Sequence, residues 1–191
     1  MKFCRDINYD DFGITEDNGW KPSYDWSKLR KTMKRLDIIV TALISIISVT
    51  LVLTVFEEYQ GIYILLNAGI SVILFLFVIT PIHEILHLIP MVGLKLDDKC
   101  YIFLGKGTVS AFYKGEISNM QNCISLITPF IILGLILTLS IFLLPDIFKL
   151  CTTLLLLMHI GGSSRDVYMF FYMKKYFPKN AVFFGNRYRT K

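Results

Sequence analysis

The run GIYILLNAGISVILFLFVITPIHEILHLI, residues 61–89, decides how this chain is read. Its first 20 residues, up to Thr80, carry no charge. At about 1.5 Å per helical residue they cover a hydrocarbon core of about 30 Å. The run then closes on His83-Glu84-Ile85-Leu86-His87. Ionisable groups at membrane depth are costly, so such a cluster reads as a functional site by default.

Three further apolar stretches have comparable length, and the four lie near Leu36–Phe56, Gly61–Ile89, Ile124–Leu144 and Ile147–Met173. Mean hydropathy is +0.55 and 54% of residues are hydrophobic, above the roughly 45–50% apolar content of soluble domains. The links Glu57-Glu58-Tyr59-Gln60 and Pro145-Asp146 are short, so the segments are expected to pair as antiparallel hairpins. The expected fold is an all-α membrane protein with four transmembrane helices and a small cytoplasmic β-hairpin between helices 2 and 3.

Charge sets the orientation. Of 20 Lys and Arg, 18 fall in residues 1–35, in the 91–123 loop or after residue 173, leaving Lys149 and Arg165. Basic residues gather on the cytoplasmic side. The prediction is therefore a multi-pass protein of the cell membrane with both termini and the central loop cytoplasmic. Loop asymmetry also explains the net charge of +5 without nucleic acid. Residues 1–35 read as a cytoplasmic extension, with Tyr9, Trp20, Tyr24 and Trp26 ahead of a basic interfacial stretch, Lys28–Arg35. Residues 36–173 form the membrane domain, and 174–191 a basic cytoplasmic tail. The first 35 residues hold no apolar run typical of a cleaved leader. Cys4, Cys100, Cys123 and Cys151 lack CxxC spacing, so neither a disulfide framework nor a cysteine metal site is expected.

The central loop carries two β-prone runs around Gly105-Lys106-Gly107, which predict a hairpin. One reading is a surface cover for the bundle. The other is an edge strand, with Tyr101, Ile102, Phe103, Val109 and Ala111 as candidates, that holds an extended peptide by strand addition.

The chemistry lies in HExxH. Two histidines four apart share one helix face and can bind Zn²⁺, and the adjacent carboxylate can act as general base on a metal-activated water. With three His and five Glu in 191 residues, roughly one such chain in a thousand would hold the pattern by chance. Pro81 is expected to mark a break or fresh first turn capped by Thr80, and Pro90 to stop the helix. A catalytic zinc site usually has three protein ligands and one open position. Asp166, His159 and Glu116 are the candidates for the third. His83 lies about 33 Å along its helix from the outer start, and Asp166 about 28 Å along its own, by the 1.5 Å rise, which favours Asp166. Its neighbour Arg165 points about 100° away on a helix. Gly161 and Gly162 would let helices approach closely. His159 stays open as an alternative ligand, a supporting donor or a packed histidine. Asn119 and Asn122 read as loop or helix-start residues.

The pattern Thr80-Pro81-Ile82-His83-Glu84-Ile85-Leu86-His87, the strand-like loop, Glu116-Ile-Ser ahead of Ile127-Thr128-Pro129-Phe130, and Gly162-Ser163-Ser164-Arg165-Asp166 resembles a family of predicted bacterial membrane zincin peptidases. In broader layout it is similar to the site-2 intramembrane metalloproteases. The resemblance covers about residues 75–172. It implies one Zn²⁺ held by His83, His87 and Asp166, with Glu84 as base. The Asn-Pro-containing, LDG-like motif around the late Asp of site-2 proteases has no counterpart here.

The expectation is a zinc metalloprotease of intramembrane type, cutting membrane or membrane-proximal proteins near the cytoplasmic face. Its partners are a peptide or transmembrane substrate and the bilayer, with a homodimer open as a way to complete the core. The alternatives are a non-proteolytic zinc-binding membrane protein and a metal transporter. A transporter would need polar residues along a path across the bilayer, and the outer halves of the segments read as almost wholly apolar.

Overall fold

The computed structural model describes residues 2–4, 19–23, 26–54, 61–93, 98–105, 108–185 and 187–190. Tyr9, Tyr24, the 57–60 link, the Lys106-Gly107 part of the expected turn, and the side chains of Cys4, Trp26 and Phe103 lie outside the described residues.

Among the described residues, four helical stretches are long and apolar enough to cross a membrane: Lys28–Thr54, Gly61–Val92, Asn119–Leu143 and Asp146–Tyr176. The first belongs to α1 (Trp26–Thr54). Ile38, Ile46 and Leu53 on α1 are exposed, so this helix presents an apolar surface that the rest of the protein does not cover. The second stretch joins α2 (Gly61–Leu74), a π-helical turn (Phe75–Ile79) and α3 (Thr80–Val92). Pro81 lies in the first turn of α3, as expected of a fresh turn. The stretch still runs on without a break through the π turn, and the Thr80 hydroxyl donates to the Phe75 carbonyl at 2.9 Å instead of capping α3. Pro90 does not stop α3 either. It lies inside the helix, which ends at Gly93 with φ 72°, whose amide closes the last turn on Ile89 at 2.7 Å.

The hairpin arrives where expected. Strands β3 (Cys100–Gly105) and β4 (Thr108–Tyr113) pair antiparallel, with Ile102 opposite Ala111. β1 (Lys2–Cys4) adds in parallel to β3, so the order is β1-β3-β4 with β4 at an edge. One face of the hairpin packs Ile102, Val109 and Ala111 against Leu88 and Ile85 of α3.

β5 (Ile117–Ser118) then leads into α4 (Asn119–Leu143) through a capping box formed by Ser118 and Gln121. Asn119 opens α4 and donates to the carbonyls of Phe177 and Pro178, each at 3.2 Å. The fourth stretch divides into α5 (Asp146–Gly162) and α6 (Ser164–Tyr176), hinged at Ser163. Two glycines before that hinge weaken helical continuity. They also admit close neighbours: a methyl group at Gly161 would lie 2.7 Å from Ile44 of α1, and one at Gly162 3.3 Å from Phe75.

The protein is therefore mostly helical, with two small sheets rather than one hairpin. β6 (Ala181–Phe184) and β7 (Arg187–Thr190) turn part of the expected basic tail into a hairpin. With β2 (Lys21–Pro22) and β5 they form a second sheet in the order β2-β7-β6-β5. The reason is apolar burial. All four residues of β6 are buried, with Phe183 packed among Ile117, Cys123 and Met173.

α4 packs on α3, α5 and α6, while α2 and α1 lean on α5. Ile79, Leu86, Leu133, Leu137, Cys151 and Leu155 form the core between these helices. The segments expected to be almost wholly apolar bury polar side chains at Asn67, Ser71 and Thr152. Each bonds a helical carbonyl: Asn67 that of Tyr63 at 3.0 Å, Ser71 those of Asn67 and Cys151 at 2.6 and 3.2 Å, and Thr152 that of Phe148 at 2.8 Å. Only the Ser71–Cys151 bond joins two helices, α2 and α5; the others satisfy the side chain within its own helix.

Candidate metal centre

One helical turn separates His83 from His87, so α3 aims both imidazoles at one place. Their Nε2 atoms are 3.1 Å apart. Asp166, in the first turn of α6, brings its Oδ2 to 3.1 Å from His83 Nε2 and 3.7 Å from His87 Nε2. The hinge at Ser163 re-aims the chain just before this carboxylate, and a helix N-terminus favours negative charge.

The electronic arrangement is unusual for a buried hydrogen-bonded cluster. His87 Nδ1 lies 2.8 Å from the Ser125 carbonyl, an acceptor only, so Nδ1 carries the hydrogen. In the neutral ring Nε2 then presents a lone pair. That lone pair faces a second imidazole nitrogen and a carboxylate oxygen, which are themselves mutually repulsive unless a proton or cation lies among them. Zn–N bonds of about 2.0–2.1 Å in a tetrahedron imply neighbouring ligand atoms about 3.3–3.4 Å apart. Separations of 3.1, 3.1 and 3.7 Å match that spacing, so these residues fit a zinc ion.

Glu84 also belongs to the cluster, since His83, Glu84 and His87 offer ligand atoms within 4.8 Å of one another. Its Oε2, however, accepts the Ala111 amide of β4 at 2.6 Å. The carboxylate is thereby tied to the strand edge, while Asp166 Oδ2 lies closest to the two Nε2 atoms.

His159 adjoins the cluster. Its ring lies 5.6 Å from that of His83, centroid to centroid, and stacks on Phe130 at 6.4 Å. It is buried, with Nδ1 3.5 Å from Ser163 Oγ. A cavity of about 490 Å³ opens here, lined by His83, Glu84, His159, Asp166, Val109 and Ser110 among others.

Other candidates lie elsewhere. Glu116 pairs with Arg189 of β7 at 2.6 Å and is spent on the second sheet. Tyr101, Ile102 and Phe103 sit on β3, whose backbone pairs with β1 and β4 on its two sides. They offer no edge to a peptide. Val109 and Ala111 sit on β4, the end strand of that sheet among the described residues, with the Ala111 amide turned to Glu84. Cys100, Cys123 and Cys151 form no disulfide among the described residues.

Two features escaped the sequence reading. Arg165 forms a bidentate ion pair with Asp37 of α1, which takes it off Asp166. A lone acid near the start of an apolar helix was the available signal. The second is Ser125, whose carbonyl orients His87 and whose hydroxyl donates to the His87 carbonyl at 2.6 Å. The proline four residues later was the signal, because it removes the usual donor to that carbonyl.

The fold and site together define a helical protein of the zincin class. A family model described as "Putative zincin peptidase" matches residues 76–182, more than half of the chain, and the chain belongs to that family. The family implies zinc and peptidase chemistry. Neither the curated proteins nor the solved structures contain a match.

Proposed function

We propose that this protein is a membrane-embedded zinc peptidase that cleaves membrane or membrane-proximal proteins near the cytoplasmic face. In this reading both termini are cytoplasmic, and His83, His87 and Asp166 hold the metal. The observation that carries it is the meeting of two Nε2 atoms and one carboxylate oxygen at 3.1–3.7 Å beside Glu84 and a cavity. Bound there, zinc would supply a Lewis acid that acidifies water and polarises a carbonyl.

Glu84 takes the proton from the attacking water and returns it to the leaving amine. The Ala111 amide holds one of its oxygens, which fixes the carboxylate's orientation. The outer edge of β4 at Val109, next to the Ala111 amide that holds Glu84, receives the substrate as an extended strand, so that a helical segment is unwound before its peptide bond is attacked. Arg165, already neutralised by Asp37, stays out of the proton path.

The test is purified Glu84→Gln protein. It should keep one zinc and lose cleavage of a membrane-protein substrate, and retained cleavage refutes the base role. A second reading, a zinc-binding membrane protein without proteolysis, draws support from the Glu84–Ala111 bond, which would then serve only to pin the hairpin to α3. In that case wild type would bind zinc and cleave nothing, while Glu84→Gln would loosen the hairpin.

A further inference from the structure

We propose that Pro129 is a positioning residue for the metal centre: it leaves the Ser125 carbonyl open to His87 and so selects the ring nitrogen that faces the cluster. The inference rests on the zinc-site reading and not on peptide cleavage.

Pro129 lies inside α4, far from either end, and is fully buried. In a regular helix the amide of residue 129 would donate to the carbonyl of residue 125. Proline has no amide hydrogen. A helical carbonyl without its donor is expensive inside a membrane-spanning bundle and must find another. His87 Nδ1 is that donor, at 2.8 Å.

The consequence is chemical as well as structural. With Nδ1–H committed to Ser125, only Nε2 can offer a lone pair, and it faces His83 Nε2 and Asp166 Oδ2. The other contact, from the Ser125 hydroxyl to the His87 carbonyl, clamps the same two helices but does not choose the tautomer. Metal-binding histidines commonly donate their second nitrogen in this way, and losing such a partner costs about 10–100-fold in metal affinity. Here the partner is a backbone carbonyl, so the side chain that controls it is the proline four residues on.

The experiment compares full-length Pro129→Ala and Ser125→Ala proteins with wild type. One readout is zinc affinity by chelator competition. The other is the ¹⁵N spectrum of labelled histidine in the metal-free protein, which distinguishes the two tautomers. Pro129→Ala supplies an amide that competes for the carbonyl. His87 should shift from pure Nδ1–H towards a mixture, and zinc affinity should fall about 10–100-fold. Ser125→Ala keeps the carbonyl and should keep both tautomer and affinity.

An unchanged tautomer and affinity in Pro129→Ala overturn the proposal. So does a Ser125→Ala protein that moves both as far, because the hydroxyl clamp would then be responsible. If Pro129→Ala fails to fold, replacing the Ser125–Leu126 amide by an ester weakens the same carbonyl with Pro129 intact. Its zinc affinity must then fall, and unchanged affinity refutes the idea. Loss of the peptidase reading through Glu84→Gln leaves these readouts untouched.

Discussion

Two regions of the helix bundle gather polar side chains, and they do so in opposite ways. On α2 and α5, Asn67, Ser71 and Thr152 each donate to a helical carbonyl. Every donor there meets an acceptor. Between α3 and α6, two imidazoles and a carboxylate turn acceptor atoms towards each other at 3.1–3.7 Å. The first pattern stabilises without help. The second is stable only with a proton or cation in its midst, which is why it marks a site.

Ways to break this contrast run from large to small. Glu84→Gln should lower cleavage by about 10²–10⁴-fold, the usual worth of a general base, with zinc stoichiometry unchanged by metal analysis. Asp166→Ala should yield protein that holds no zinc after dialysis, because two ligands do not complete the site. His159→Ala should keep its zinc, since Asp166 and not His159 meets the two Nε2 atoms. Zinc loss in that variant would transfer the ligand role. Ser71→Ala, on α2, should lower stability by about 1 kcal/mol, the net value of a hydrogen bond, and leave zinc affinity alone. Equal losses of zinc from Ser71→Ala and Asp166→Ala would erase the distinction between the two regions. Asp37→Asn should have the smallest effect, below about 1 kcal/mol for a partly exposed pair. It would be read as a small drop in melting temperature with metal content preserved.

The legibility of these parts follows from their range in the chain. The four long apolar stretches were readable because hydrocarbon thickness acts on each segment separately. The hairpin at residues 100–113 was readable from its β-prone runs. The β6–β7 hairpin carried a similar signal, Ala181–Phe184, then Gly185-Asn186, then alternating Arg187-Tyr188-Arg189-Thr190. It was hidden by attention to basic charge. Pro81 marked a fresh first turn but no break, because a π turn carries the helix into it, and Pro90 misled because the helix runs past it. Nothing local to a proline announces which solution the surrounding helices will favour.

His83, Glu84 and His87 owe their common helix face to spacing alone, since a 3.6-residue period puts residues four apart side by side. Asp166 could be ranked by depth, because the rise per residue is constant. Its distance to the histidines, the tie between Glu84 and Ala111, the Asp37–Arg165 pair and the Ser125 carbonyl on His87 belong to the tertiary structure. Each joins residues 27 to 128 positions apart. Local rules govern periodicity and rise, whereas contacts of that range depend on how whole helices pack, and packing is decided by all their side chains together.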